Sequence, residues 1–129
     1  MKSVENFSIA NNTNSAYTVK NLRKVILSCS NLIEEISTQN GISFYYNNFF
    51  LCALYNTPEG IELPINFGEK LIDSFNVLSI TKDNQYKISR IKSSTQIDDY
   101  VLIGLIQQAM LCSILNEIEF RHTIETLSK

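Results

Sequence analysis

The chain has 129 residues, 44% of them hydrophobic and 19% charged, which is the size and composition of one folded domain. Its formal charge is -2, and basic residues cluster only at Lys20, Arg23 and Lys24. Because nucleic-acid binding requires a broad basic face that neutralises phosphates, this composition argues against a nucleic-acid partner.

The N-terminal part of the chain predicts an arm followed by a helix. Residues 1–16 include a polar run at 11–15 with no hydrophobic period, so we expect a flexible arm before a single domain that covers 17–129. Apolar residues then recur every three or four positions over 17–36, which predicts an amphipathic helix. The Asn-Gly pair at 40–41 is expected to stop this helix.

The next segment has the composition of β-strands. Two aromatic-rich runs, at 42–46 and 49–55, are separated by two asparagines and predict a hairpin. Turn-forming residues at 57–60 allow a third short strand at 61–63, before Pro64 interrupts the hydrogen-bond ladder.

A short helix and a second hairpin are expected in the middle of the chain. Apolar residues between 67 and 76 are spaced like one face of a short helix. The alternating runs at 77–81 and 85–91 then predict two antiparallel strands. Together with the helices at either end, the pattern predicts an α+β fold. Its antiparallel sheet would be accompanied by an N-terminal amphipathic helix, a short middle helix and a long C-terminal helix.

The C-terminal helix is expected to begin with Ser94 or Thr95 as its cap, and if Thr95 is the cap, Asp98 is the acidic partner in a capping box. Residues 100–116 then carry no charge at all. A helix that crosses a bilayer needs about 20 apolar residues, and this segment has two glutamines, at 107–108, near its centre. We therefore expect no membrane span.

No group of residues predicts catalysis. Cys29, Cys52 and Cys112 lie in apolar surroundings without zinc-site spacing, so we interpret them as buried packing residues. His122 is the only histidine and has no obvious catalytic companion. We expect no enzyme activity, no metal and no cofactor. An odd cysteine count without an apolar leader predicts a cytoplasmic protein.

The remaining signal is apolar surface. The helix over 100–116 is apolar nearly all round, which is more than one thin sheet can cover. Two interpretations remain open: the helix is enclosed in the core, or part of it joins the aromatic cluster at 44–50 in a homodimer or partner interface. The side chains expected to face a partner are Phe44, Tyr46, Phe49, Leu51, Leu102 and Leu105.

The order of elements over 17–127, including the short Leu-containing segment at 69–76, resembles that of the class I type III secretion chaperones. These small acidic bacterial proteins hold an effector before export. The resemblance implies a cytoplasmic homodimer that binds an extended segment of the effector by strand addition and in apolar pockets, without nucleotide. Two alternatives are an immunity protein that neutralises a toxin domain, and a small hydrolase or transferase with a pocket around a thiol or His122.

Overall fold

The computed structural model describes residues 13–127, and the side chains from residue 15 onward. It has two helices and six strands, with two short 3-10 turns between them. In chain order the helices and strands are α1 (Thr13–Ser28), β1 (Glu34–Ser37), β2 (Gly41–Tyr46), β3 (Phe49–Thr57), β4 (Gly60–Pro64), β5 (Ser79–Ile80), β6 (Tyr86–Ile91) and α2 (Asp99–Leu127). The predicted α+β class is confirmed.

The six strands form one antiparallel sheet in the order β1-β2-β3-β4-β6-β5. Both predicted hairpins are confirmed, since β2 pairs with β3 and β5 pairs with β6. The third predicted strand is β4, and Pro64 closes it beside Lys87 of β6. Since β1 and β5 are the outermost strands, each leaves one side of its backbone without a neighbouring strand among the described residues.

One face of the sheet carries the core. Phe44 lies opposite Cys52 and Ile42 opposite Leu54, and all four side chains are fully buried. Glu35 of β1 belongs to the same face because it lies opposite Phe44. The two helices contact one another and cover this face.

Helix α1 is held to the core face by packing and by one ion pair. Its residues Val19, Leu22 and Ile26 are buried in the core, as the amphipathic pattern predicts. The guanidinium of Arg23 donates two hydrogen bonds to the carboxylate of Glu35, and the Nε–Oε2 distance is 2.7 Å. This contact joins the helix to the edge strand β1.

The predicted N-terminal helix is wrong in its length. The helix ends at Ser28 and residues 34–37 form β1, because pairing with β2 stabilises an extended backbone there. The end of the helix is tightened by a bond from the Cys29 amide to the Ile26 carbonyl. Helix α1 also begins at Thr13, within the predicted arm, whereas residues 1–12 of that arm lie outside the described residues.

The predicted middle helix is also wrong, since only a 3-10 turn forms there, over Gly68–Lys70. Phe67, immediately before it, has a left-handed backbone with φ 61°, which is incompatible with a continuing right-handed helix. Beyond the turn, the carboxylate of Asp73 accepts hydrogen bonds from the amides of Val77 and Leu78. A short side chain that binds the local backbone in this way competes with helix formation.

The start of α2 differs from the predicted cap. Ser93 caps a separate 3-10 turn at Ser94–Gln96, in which Gln96 completes a capping box. After this turn, the side chain of Asp98 accepts a hydrogen bond of 2.8 Å from the amide of Tyr100. Asp98 therefore caps α2 itself, and its negative charge is favourable at the positive end of the helix dipole.

Candidate functional site

The structure places most of the predicted partner-binding residues in the core. Phe44, Leu51, Leu102 and Leu105 are each 3% exposed or less, so their side chains do not form a surface of the described chain. Tyr46 packs partly against the core. The half-buried Phe49 lies near Phe67, with 6.2 Å between the two ring centroids. The four buried residues belong to the core, whereas Tyr46 and Phe49 remain partly exposed.

The exposed apolar side chains lie elsewhere, and most of them belong to α2. Among residues 15–127, fourteen large hydrophobic side chains are exposed, and eight of these are on this helix. They are Tyr100, Leu111, Ile114, Leu115, Ile118, Phe120, Ile124 and Leu127.

Two opposite sides of α2 have different surroundings. Each residue of an α-helix is rotated by about 100° from the one before it. The buried residues Leu102, Leu105, Ile106 and Ala109 therefore share the side that packs on the sheet. The opposite side carries six residues that we call the α2 seam: Tyr100, Gly104, Gln107, Leu111, Ile114 and Ile118. The steps of three and four residues along this seam are visible in the sequence, but the opposite side of the helix is also apolar, so spacing alone did not single out the seam.

The segment before β5 lies along one flank of the seam. The side-chain amide of Gln108 donates to the carbonyl of Ile72 and accepts from the Ile72 amide, at 3.3 and 2.7 Å. Ile72 and Phe75 themselves are strongly exposed. A cleft of about 400 Å³ between this segment and the start of the helix is lined by Phe75, Tyr100 and Val101 among others. The apolar surface of the seam therefore continues onto this flank.

The last turns of α2 extend beyond the core. Ser113 is the last buried residue of the helix. Asn47, in the turn between β2 and β3, donates a hydrogen bond of 2.7 Å to Glu117. Phe120 and Leu127 are exposed. They lie on the same side of α2 that packs on the sheet nearer the start of the helix. The apolar side chains at this end of the helix are therefore exposed.

The sheet contributes a second uncovered surface. The face opposite the helices carries Ile36, Tyr45, Phe50 and Tyr55, and we call these four residues the open sheet face. The rings of Tyr45 and Phe50 meet edge to face, with 6.0 Å between their centroids. No helix among residues 13–127 lies on this face. It ends at the edge strand β1, where Ile36 is exposed.

Length and composition alone would allow α2 to cross a membrane, and it is the one helix of the described residues for which this holds. Its most apolar 18-residue window has a mean hydropathy of 1.6, and 28% of that window is buried. The buried part packs on the sheet as an ordinary core helix does. Its exposed part is the seam and the last turns.

The nucleophile candidates lack the features of an active site. Burial raises the pKa of the Cys52 thiol far above its usual range, with a smaller contribution from Cys29. Burial also raises the pKa of Cys29, so both thiols are held protonated. His122 is exposed near the end of α2. Within residues 13–127, no three His, Cys, Asp or Glu side chains are grouped to bind a metal ion.

A second cleft, of about 540 Å³, separates α1 from the start of α2. It is lined by Lys24, Ser28 and Asp99 among others, while Asn21 spans it with a 3.2 Å hydrogen bond to Ser94. A hydroxyl nucleophile requires a neighbouring general base, and the charged groups here are a lysine and a helix-start aspartate. The cleft therefore has the character of a polar gap between two helices.

Comparison with known proteins matches most of the chain to one family of domains. Residues 7–113 match the family model described as a domain of unknown function, DUF5655. No curated protein and no solved structure matches the chain. The family description assigns no activity, so the geometry above is the basis for a functional conclusion.

Proposed function

The chain belongs to this family of domains of unknown function, and we propose that it is a non-catalytic protein-binding module. One observation carries the proposal: α2 exposes eight large apolar side chains, each of them to 37% or more. An apolar patch of this extent on a small domain is characteristic of an interaction surface. The protonated thiols of Cys29 and Cys52 agree with a function that needs no nucleophile.

The edge of the sheet supports binding of an extended segment, as in the secretion chaperones that this architecture resembles. A strand that pairs with β1 would satisfy its free backbone groups, while side chains of the segment contact Ile36 and the neighbouring aromatic rings. We infer a cytoplasmic protein that holds an extended segment of a bacterial effector in this way. An immunity protein is the alternative, and it would instead bind a folded toxin domain.

The test uses candidate clients encoded beside this chain. Each would be co-expressed with the full chain, purified as a complex and digested with protease. A chaperone protects one short extended segment, whereas an immunity protein protects a folded domain and abolishes its activity. A chain that forms no complex with any neighbouring product, and changes the protease sensitivity of none, would contradict the proposal.

Two isoleucines provide matched variants for the edge-strand contact. Ile36 on β1 and Ile80 on β5 are 50% and 54% exposed, and each lies on an outermost strand. We expect Ile36→Asp to weaken client binding at least tenfold, since it places a charge in the apolar contact. Ile80→Asp is expected to leave client binding unchanged. Equal effects of the two variants would argue against β1 as the binding edge.

A further inference from the structure

Gly104 is unexplained by the fold of the single chain. It lies inside α2, where glycine is among the least favourable residues for helix stability. Outside its own stretch of helix, a Cβ atom at this position would have no heavy atom within 4 Å. At Gly41, by contrast, a Cβ would overlap the carbonyl of Leu54, so the sheet requires that glycine. A second helix packed close against Gly104 would explain why a residue without a side chain lies at this position.

The α2 seam has the spacing of a helix-pairing surface. Its six positions follow one another in steps of four, three, four, three and four residues, which is the a/d pattern of a coiled coil. Tyr100 is 84% exposed, and Leu111 and Ile118 are each 56% exposed. The spacing is the same in both directions along the helix, so a reversed copy of the seam matches it at every position.

We propose that the α2 seam packs antiparallel against the α2 seam of a second copy of this chain. This inference rests on the proposed protein-binding function and names the partner of that surface. In the reversed register the layers are Tyr100 with Ile118, Gly104 with Ile114, and Gln107 with Leu111, each pairing one copy with the other.

The antiparallel orientation follows from side-chain size. The bare backbone at Gly104 leaves room for Ile114 of the second copy, so a large side chain fills the space that a missing one leaves. A parallel pair would instead place Gly104 opposite Gly104 and leave a gap there.

The lack of charge along the seam also permits two copies of it to pack together. A two-fold interface brings one surface patch against the same patch of the partner, so a patch that carries charge of one sign meets charge of the same sign. Residues 100–116 contain no charged side chain, and this repulsion is therefore absent over most of the seam. Gln107 both donates and accepts hydrogen bonds, which suits a polar residue within a self-associating face.

The exposed area is sufficient for a stable dimer. A large apolar side chain at these exposures offers on the order of 100 Å². Seven such side chains therefore offer roughly 700 Å², close to the ~800 Å² that one partner contributes to a standard interface. The seven are Ile72, Phe75, Tyr100, Leu111, Ile114, Leu115 and Ile118.

Sedimentation velocity of the purified full chain tests the dimer. At about 50 µM, above the micromolar dissociation constants of weak standard interfaces, the chain is expected to sediment as a dimer. Leu111→Arg should give a folded monomer. Phe120→Arg is the matched control, because Phe120 is also exposed on α2, at 65% against 56% for Leu111, but lies outside the seam, and it should stay dimeric. A wild-type chain that is monomeric at this concentration would overturn the proposal.

Gly104→Ala separates a close helix contact from an exposed helix position. In the monomeric Leu111→Arg background, this substitution should raise the melting temperature by roughly 4 °C, since alanine favours the helix. In the otherwise unchanged chain it should weaken dimerisation roughly 10- to 100-fold, because the added methyl group enters the packed contact. Dimerisation unchanged by Gly104→Ala would show that no helix approaches Gly104, and would contradict this interface.

Orientation and alternative occupants need their own measurements. With Cys112 replaced by serine, a mixture of the Tyr100→Cys and Ile118→Cys chains should form a disulfide-linked heterodimer. A Tyr100→Cys chain that links to itself would indicate a parallel pair and overturn the proposal.

Vesicles of phosphatidylcholine and phosphatidylglycerol should leave the dimer intact. Dissociation of the dimer onto these vesicles would assign the seam to a lipid surface instead. Client binding by β1 is independent of these results, so either proposal can fail alone.

Discussion

The two sides of α2 have similar composition and different surroundings. Leu105 and Leu111 belong to the same uncharged stretch and are 3% and 56% exposed. The sheet covers the side with Leu105, while nothing among the described residues covers the side with Leu111. The comparison shows that hydropathy identifies the helix as apolar but does not distinguish the side that stabilises the monomer from the side that is free to bind.

The largest expected effect comes from placing the same charged residue on each of the two sides of α2. Leu105→Asp places an unpaired carboxylate in the core, and we expect a loss of more than about 4 kcal/mol of unfolding free energy, enough to prevent folding. Leu111→Asp should change the unfolding free energy of the monomer by less than about 0.5 kcal/mol. Urea titrations followed by circular dichroism would measure both values. Similar losses for the two variants would mean that both sides of the helix belong to the core.

The dependence of unfolding free energy on alkaline pH tests whether the sheet surface beneath the buried side of α2 is enclosed. Cys52 lies there, and burial raises its pKa in the folded chain above the unfolded value of 9.0. The unfolded thiol therefore loses its proton first, and the stabilisation present below pH 9 is lost as the pH rises further. The expected slope is at most about 1.4 kcal/mol per pH unit.

Urea titrations between pH 8 and 10 on the wild type and on Cys52→Ala would isolate this contribution. The alanine variant retains every other ionisable group, so its unfolding free energy should fall less steeply with pH. Parallel curves for the two proteins would show that Cys52 ionises equally in the folded and unfolded chains, which is incompatible with a buried thiol.

The smallest expected effect concerns the contact of Gln108, which lies between the buried side of α2 and the seam. Gln108 binds both main-chain groups of Ile72, whereas Gln107, the next residue back, is exposed on the seam. Gln108→Ala should cost about 0.5–1.5 kcal/mol for the lost hydrogen bonds, and accelerate hydrogen exchange at the Ile72 amide roughly tenfold. Gln107→Ala should leave that exchange rate unchanged. An unchanged rate in Gln108→Ala would mean that this side chain does not hold the segment.

The sequence predicted the elements whose patterns act locally. The two hairpins follow from alternating apolar residues and turn-forming residues, and both are present. The middle helix failed, because the left-handed Phe67 and the Asp73 side chain favour an irregular path that helical spacing cannot reveal. The N-terminal helix was extended too far, since strand pairing with β2 decides the conformation of residues 34–37.

The exposed apolar side chains of the C-terminal helix are not the residues that were named from the sequence. An excess of apolar surface on the C-terminal helix follows from the uncharged stretch at 100–116. Leu102 and Leu105 were expected to face a partner, yet they lie on the side that packs against the sheet. Both sides of the helix are apolar, so the sequence contained no signal that would choose between them.

By itself, the sequence determined an α+β domain with an amphipathic N-terminal helix and an apolar C-terminal helix, because binary patterning and turn chemistry operate over a few residues. Only the tertiary structure decided which side of α2 meets the sheet, where the open sheet face ends and why Gly104 stands in open space. Those properties depend on contacts between residues far apart in the chain, and the rotation of a helix against a sheet is fixed by how all of its neighbours pack together.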